Sequence, residues 1–413
     1  MAGTNGKMRH LTFFETLASE NEGSDQWRAA SAGLVVLRLF DSWSGRRAFR
    51  LPRQTWEFSA VRETIAQIDQ RNSMRALLTS VIDAMELAPA VGVSTVAPRL
   101  LAYGRALQYE AKWSLAADVY RTVIESMNPE VEPELVVTAN LQLGTCLRML
   151  AEWSGATAAH SAAGEIAAMR GDIANVLRAR LSEAKVAVER GNLPRADDIL
   201  SEAAERACRE GLAEIKAIAM LDRANIAHRR KEYEAAIRLG YQVLPSLPEG
   251  SLRDRALIDL AGSFLELGIR SAARDAYLII AATAQEQYLR WVATINLMEV
   301  AAIDMNEPSF EQYRRELCRV VLPVQLAAFY WLYVGRAYRL FGKPELACTA
   351  LRRAVQLGEK HELFEVLFKA EESLAEIEDG GVIIIAAPAE LANGLSEVAS
   401  ALRHMRVLVA AGG

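Results

Sequence analysis

Long apolar runs are missing from this chain of 413 residues. No stretch offers the about 18 uncharged apolar residues of a membrane-spanning helix, and the nearest approach, GVIIIAAPAELANGL, is interrupted by Glu390. The opening MAGTNGKMRHLTFFETLASENEGSDQW holds no apolar core of signal-peptide length, so a cytoplasmic protein without a membrane partner is expected. Cysteine is scarce. Cys146, Cys208, Cys318 and Cys348 lie far apart with no CxxC pair, which argues against a disulfide framework or zinc site and makes buried thiols the default. Basic charge is not in excess: 47 Lys and Arg against 52 Asp and Glu leave a net charge of −5, which argues against nucleic acid as the partner.

Catalytic constellations are absent as well. There is no G-x-x-x-x-G-K-[ST], no G-x-G-x-x-G after a strand, no G-x-S-x-G elbow, no H-E-x-x-H and no EF-hand loop. The five histidines, His10, His160, His228, His361 and His404, are scattered, and His361 precedes Glu362 directly, which sets the two on different faces of a helix. Cys146 and Cys348 have no histidine near them in sequence and read as small buried hydrophobes. Neither enzymatic activity nor a cofactor nor a metal is expected.

What is present is a repeat. AYGRALQYEAKWSLAADVYRTVIESMNP, from Ala102, has a small residue, Gly104, in a first helix, Ala116 twelve later and Tyr120 one turn on. QLGTCLRMLAEWSGATAAHSAAGEIA repeats this with Gly144 and Ala156, and two further copies carry Ala184 with Ala196 and Ala224 with Ala236. The alanines at 116, 156, 196 and 236 are therefore 40 apart. Ala261 with Ala273 continues the register, Ala301 with Tyr313 breaks it by a large residue, and YVGRAYRLFGKPELACTALRRAVQLG completes a seventh unit with Gly335 and Ala347. Small residues at a helix crossing beside a bulky apolar knob are what two short antiparallel helices need to pack closely, so these glycines predict contact inside helices.

Taken together, these marks resemble the tetratricopeptide repeat (TPR) family, long-repeat bacterial type, over about Thr95 to Glu378; Trp331, Gly335, Tyr338, Gly342, Ala347 and Ala354 match its consensus spacing. The family repeat is usually about 34 residues, so units 40 apart imply longer helices or loops. The resemblance implies an all-α, right-handed α-solenoid of about seven stacked hairpins at 95–378. Residues 1–87 are expected to form an N-terminal helical cap, with one helix through DQWRAASAGLVVLRLFDSWSG, an extended loop carrying four arginines through SGRRAFRLPRQTWEFS, and a helix pair from Ser59 to Met85. A boundary follows near 87–97. Residues 379–413 are expected to form a strand/helix tail, in which VIIIAAP is either a short β element or the approach to a capping helix.

By the same resemblance, first helices line a concave groove, and the groove positions include Arg105, Tyr109, Arg148, Lys185, Asn225, Arg229, Arg336 and Arg339, with Gln108, Thr145, Glu189, His228, Gly262, Glu266, Met305 and Asn306 beside them. Asn could grip a backbone amide and Arg a carboxylate. Asn225 and Arg229, four apart, share a helix face. The leading expectation is a non-enzymatic adaptor or regulatory protein binding a peptide or protein partner in that groove. The alternatives are the peptide-sensing module of a bacterial transcription regulator, and a structural subunit that homo-oligomerises through its C-terminal tail.

Overall fold

Seven aligned windows become seven helical hairpins. The computed structural model describes residues 9–44, 51–87, 92–361, 363–379 and 394–412, and among them every regular element is helical, with no strand. Four helices come first: α1 (Leu11–Ser19), α2 (Asp25–Ser44), α3 (Leu51–Ala66) and α4 (Ser73–Leu87). The hairpins are α5/α6 (Ala97–Tyr109, Trp113–Ser126), α7/α8 (Pro133–Met149, Trp153–Met169), α9/α10 (Ile173–Glu189, Leu193–Arg209) and α11/α12 (Ala213–Arg229, Tyr233–Val243). They continue as α13/α14 (Ser251–Glu266, Arg270–Thr283), α15/α16 (Gln287–Ile303, Glu307–Leu317) and α17/α18 (Val324–Leu340, Pro344–Lys360), followed by α19 (Phe364–Glu378) and α20 (Leu395–Gly412). The chain divides into two compact units, Met1–Ile215 and Lys216–Gly413.

One steric relation recurs in the hairpins. Gly104 faces Tyr120, Gly144 faces His160 and Gly335 faces Leu351, each sixteen positions on; a methyl group at Gly104 would lie 2.8 Å from Tyr120 Cε1, and one at Gly335 2.5 Å from Leu351 Cγ. Ala184 with Leu200, Ala261 with Tyr277 and Ala301 with Leu317 hold the same register, and all six are buried. The small member lets the backbones approach, and the large one fills the space beside it.

The turns recur too. Ala111, Ala151, Gly171, Gly191, Gly211, Lys231, Gly268, Met305 and Gly342 all take positive φ, between 55° and 77°. The next residue then bonds back across the turn, as Lys112 N–H does to Leu107 O at 2.8 Å and Lys343 N–H to Tyr338 O at 2.8 Å, closing the helix end in a Schellman motif. Where that next residue is Asp172, Asn192 or Asn306, its side chain also caps the following helix. Asn306 therefore does a local structural job.

Within each unit the first helices touch one another (α5 with α7, α7 with α9; α13 with α15, α15 with α17, α17 with α19), while among the described residues second helices make no comparable contact. The first helices thus form the tighter, inner face of each stack. In the second unit α20 packs on α12 and α14, the second-helix side, burying Leu395, Val398 and Leu402. Its Arg406 lies 3.1 Å and its Arg403 3.9 Å from the buried Asp275.

Several expectations need correcting. Helix α3 begins at Leu51, inside the segment read as an extended loop, because Pro52 in a first turn has no N–H to lose and its φ suits a helix. VIIIAAP lies outside the described residues, and VLVAAGG, read as a closing segment, continues α20 through Gly412. Cys146 is buried, but Cys208 and Cys318 are exposed, the first in the last turn of α10 and the second just past α16.

Helix α1, which the sequence did not disclose, is fixed by electrostatics. His10 precedes it with φ 59°, is 4% exposed, and places Nδ1 3.2 Å from Asp118 and Nε2 3.0 Å from Asp41, while Thr12 Oγ1 donates to Asp118 at 3.1 Å. Burial alone would lower the imidazole pKa from 6.5, but the hydrogen bonds and charges of Asp118 and Asp41 outweigh it and carry it up to about 9. A folded-state value above the unfolded one gives stability that is complete below pH 6.5 and is lost as pH rises through about 9, on the order of 3 kcal/mol. Chemical denaturation between pH 6 and pH 10 should show the loss in the native chain, and His10→Gln should flatten that part of the profile.

The register contact has its own test. Gly335→Ala gains about 1 kcal/mol of helix propensity and should still destabilise, because overpacking costs about 1–3 kcal/mol. Its penalty should shrink in a Leu351→Ala background, measured as a double-mutant cycle by denaturant unfolding.

Candidate functional site

The residues expected in a groove gather in small groups, described unit by unit. In the first unit, Arg105 and Tyr109 are exposed on α5 and line a cleft of about 450 Å³ with Leu77, Leu101, Thr138 and Gln142. Gln108 between them is buried instead, donating to Cys146 Sγ at 3.1 Å and accepting from Tyr120 Oη at 3.1 Å. Arg148 on α7 lies 3.7 Å from Glu189 on α9. Arg148 and Lys185 both act on His160: burial first, then these two cations, hold its imidazole down to about 4, so the knob facing Gly144 is neutral.

In the second unit, Asn225 and Arg229 do share a face of α11. Arg229 Nε donates to Asn225 Oδ1 at 3.2 Å and Asn225 Nδ2 to Asp259 Oδ1 at 3.5 Å, so the amide is engaged within the protein. His228 Nδ1 lies 2.9 Å from Ser263 Oγ, and Gly262 sits beside both His228 and the Tyr277 hydroxyl. Tyr233 Oη donates to Glu266 at 3.3 Å. Met305 is an exposed turn residue.

Arg336 and Arg339 line a second cleft, about 490 Å³, between α15, α17 and α19. Its polar lining includes Glu299, Tyr333, Glu372, Ser373 and Glu376, and its apolar lining Ala302, Ile303, Ala337 and Leu340. Arg336 Nε donates to Ser373 Oγ at 3.2 Å, and Ser373 in turn donates to Lys369 O at 2.8 Å, which fixes the guanidinium. Arg339 pairs with Glu376.

Neither Asp259 nor Glu299 is among the groove residues expected from the sequence. The repeat register singles both out. Asp222, Asp259 and Glu299 each stand two places before a packing alanine (224, 261, 301), so three successive hairpins offer a carboxylate at one position, and Tyr333 holds that position before Gly335. Asp222 is paired with Arg255. Asp259 Oδ2 is buried and accepts no hydrogen bond. Burial pushes Asp259 up to about 6, against the attraction of Arg255 and with the repulsion of Asp222. Burial likewise pushes Glu299 up to about 7, opposed by Arg336 and Lys369 and reinforced by Glu266. Carboxyls repeated at one register, two of them held up by burial, are an arrangement able to receive cations.

No family model matches the sequence, and no curated protein matches it. Among solved structures the chain is similar to a TPR protein from Parabacteroides merdae ATCC 43184, at 14% identity and TM-score 0.40 over 67% of this chain and 98% of that one. It is also similar to a Rap protein complexed with competence and sporulation factor (13%, TM-score 0.41, 85% and 98%). A third similar structure is the Rap conjugation gene regulator of plasmid pLS20 with the Phr* peptide (11%, TM-score 0.40, 86% and 98%).

Because a raised carboxyl pKa means the folded state holds its proton more tightly, Asp259 costs nothing below its unfolded pKa near 4 and costs on the order of 3 kcal/mol above pH 6. Asp259→Asn should therefore leave stability unchanged at pH 4 and increase it progressively toward pH 7, as read from denaturant midpoints across that range.

Proposed function

We propose that this is a non-enzymatic binding module whose second unit holds a segment of a peptide or protein along the inner face formed by α11, α13, α15, α17 and α19. The observation that supports it is the placement of Asp222, Asp259 and Glu299 at one register of three successive hairpins, two of them with carboxyls held well above the usual range by burial. Packing does not ask for this. The same register in the first unit carries Ala102, Gln142 and Ser182, and those hairpins close equally well. Local rules broken repeatedly at one place, at a cost in stability, are what a functional surface looks like.

A segment lying across α11, α13 and α15 would meet a carboxylate at each, so basic side chains on the ligand supply the missing charge. Asn225, which accepts from Arg229 and donates to Asp259, then orients that carboxylate. Affinity should fall as salt rises, since partly exposed charge pairs are screened.

The test is affinity capture with the intact chain, repeated on two variants. Asp259→Asn with Glu299→Gln removes the inner charge and should weaken retention of the partner roughly tenfold or more. Arg274→Glu alters the second-helix side and should leave it unchanged. Retention that follows Arg274 and ignores the inner pair would transfer the binding surface away from the first helices.

A further inference from the structure

The cleft between α15, α17 and α19, which the exposed Glu372 also lines, holds two opposite charges deeper in, Glu299 and Arg336, that the protein does not pair with each other. Glu299 takes part in no hydrogen bond or ion pair among the described residues, and its carboxyl faces a space walled by Tyr333 and Arg336. Arg336 has its Nε on Ser373 Oγ and pairs with no carboxylate among the described residues. The two line one cleft without forming a salt bridge to each other. The neighbouring Arg339 is already held by Glu376. A carboxylate and a guanidinium left open in the same partly enclosed space are each costly, because desolvated charge without a partner is unfavourable.

We propose that this cleft binds a small zwitterion, a molecule carrying a primary ammonium group and a carboxylate, such as a free amino acid or a dipeptide. The ammonium donates to Glu299, with the Tyr333 hydroxyl able to accept beside it. The carboxylate accepts from the terminal nitrogens of Arg336, whose orientation Ser373 has already set, so little side-chain entropy is lost on binding. Ala302, Ile303, Ala337 and Leu340 give the ligand's carbon skeleton an apolar wall, and the volume of about 490 Å³ lies in the range of small-molecule sites. One of the two charges alone would leave the other uncompensated, which is why a simple amine or a simple carboxylate is the poorer ligand.

Burial is the largest influence on Glu299 and pushes its carboxyl up, and the groups that face it act in opposite senses. Glu266 from α13 raises its pKa, and Arg336 from α17 and Lys369 from α19 lower it; Tyr277 and Tyr333 lie in its field. An arriving ammonium favours the ionised carboxylate, so binding releases a proton near neutral pH and weakens as the solution becomes acidic.

Isothermal titration of the intact chain with L-amino acids, a γ-amino acid and dipeptides, at millimolar concentration, tests this directly. At least one zwitterion should bind, and its N-acetyl and its amide derivatives should each bind at least about tenfold more weakly. Which arm responds identifies the spacing between the two charges. Glu299→Gln should abolish the preference for a free ammonium, and Arg336→Gln the preference for a free carboxylate, with denaturant unfolding confirming that both variants fold. Binding by no zwitterion, or equal binding of the blocked derivatives to the native chain, overturns the proposal. A basic peptide that binds while every zwitterion fails removes this site and leaves the inner-face reading standing.

Discussion

The close approach of two antiparallel helices at a small residue is the constraint on which the rest depends. Gly104, Gly144 and Gly335 leave room that Tyr120, His160 and Leu351 occupy, and a side chain added at any of them collides with the partner helix. Because the knob stands sixteen residues after the hole, the connecting turn must have nearly fixed length and shape. A single left-handed residue followed by a back-bond to the helix end meets that demand, and it is met the same way at Gly342 as at Ala111, where alanine accepts an unfavourable φ to do so. Turn geometry is therefore a consequence of the crossing, and the αL alanines are tolerated because two backbone hydrogen bonds are formed in return.

Once the crossing is set, every other position acquires a fixed direction. The residue after the hole and the residue two before it are carried to the inner face in each hairpin, whatever their chemistry. The first unit places Arg105 and Lys185 just after the hole, with Ala102, Gln142 and Ser182 before it; the second places Asn225, Gly262 and Arg336 after it, with Asp222, Asp259 and Glu299 before it. One scaffold thus presents two surfaces of different charge, and the difference lies in residues that packing leaves free.

This division explains what could be read in advance. The spacing of Gly or Ala to Ala, twelve residues, and the 40-residue period are local sequence properties, so the hairpins were visible. Helix α1 was not, because its docking rests on His10 between Asp41 and Asp118, partners 31 and 108 residues away that no short window contains. The start of α3 was misplaced because proline and arginine look like loop until the first-turn role of Pro52 is known. At the inner face, the resemblance drew attention to residues beside the packing positions, of which Arg336 and Arg339 line one cleft. Asp259 and Glu299 escaped because a carboxylate in sequence looks solvated; only its depth in the fold says otherwise.

Elsewhere in the second unit acids are met by arginine, whether buried like Asp275 or exposed like Asp304. Asp275, on the second-helix side, receives Arg406 at 3.1 Å and Arg403 at 3.9 Å from α20, and Asp304 receives Arg270 at 2.9 Å and Arg274 at 3.2 Å. Arginine is abundant in this chain and well suited to such pairing. Where an acid serves the fold, the chain delivers a cation to it, even from a helix more than a hundred residues away. On the inner face Asp222 is paired with Arg255 through Oδ1, the Oδ2 atoms of Asp222 and Asp259 are buried and accept no hydrogen bond, and Glu299 lines an open cleft. Glu299 is the inner-face carboxylate for which no such cation is delivered among the described residues, and its charge is left to be met from outside.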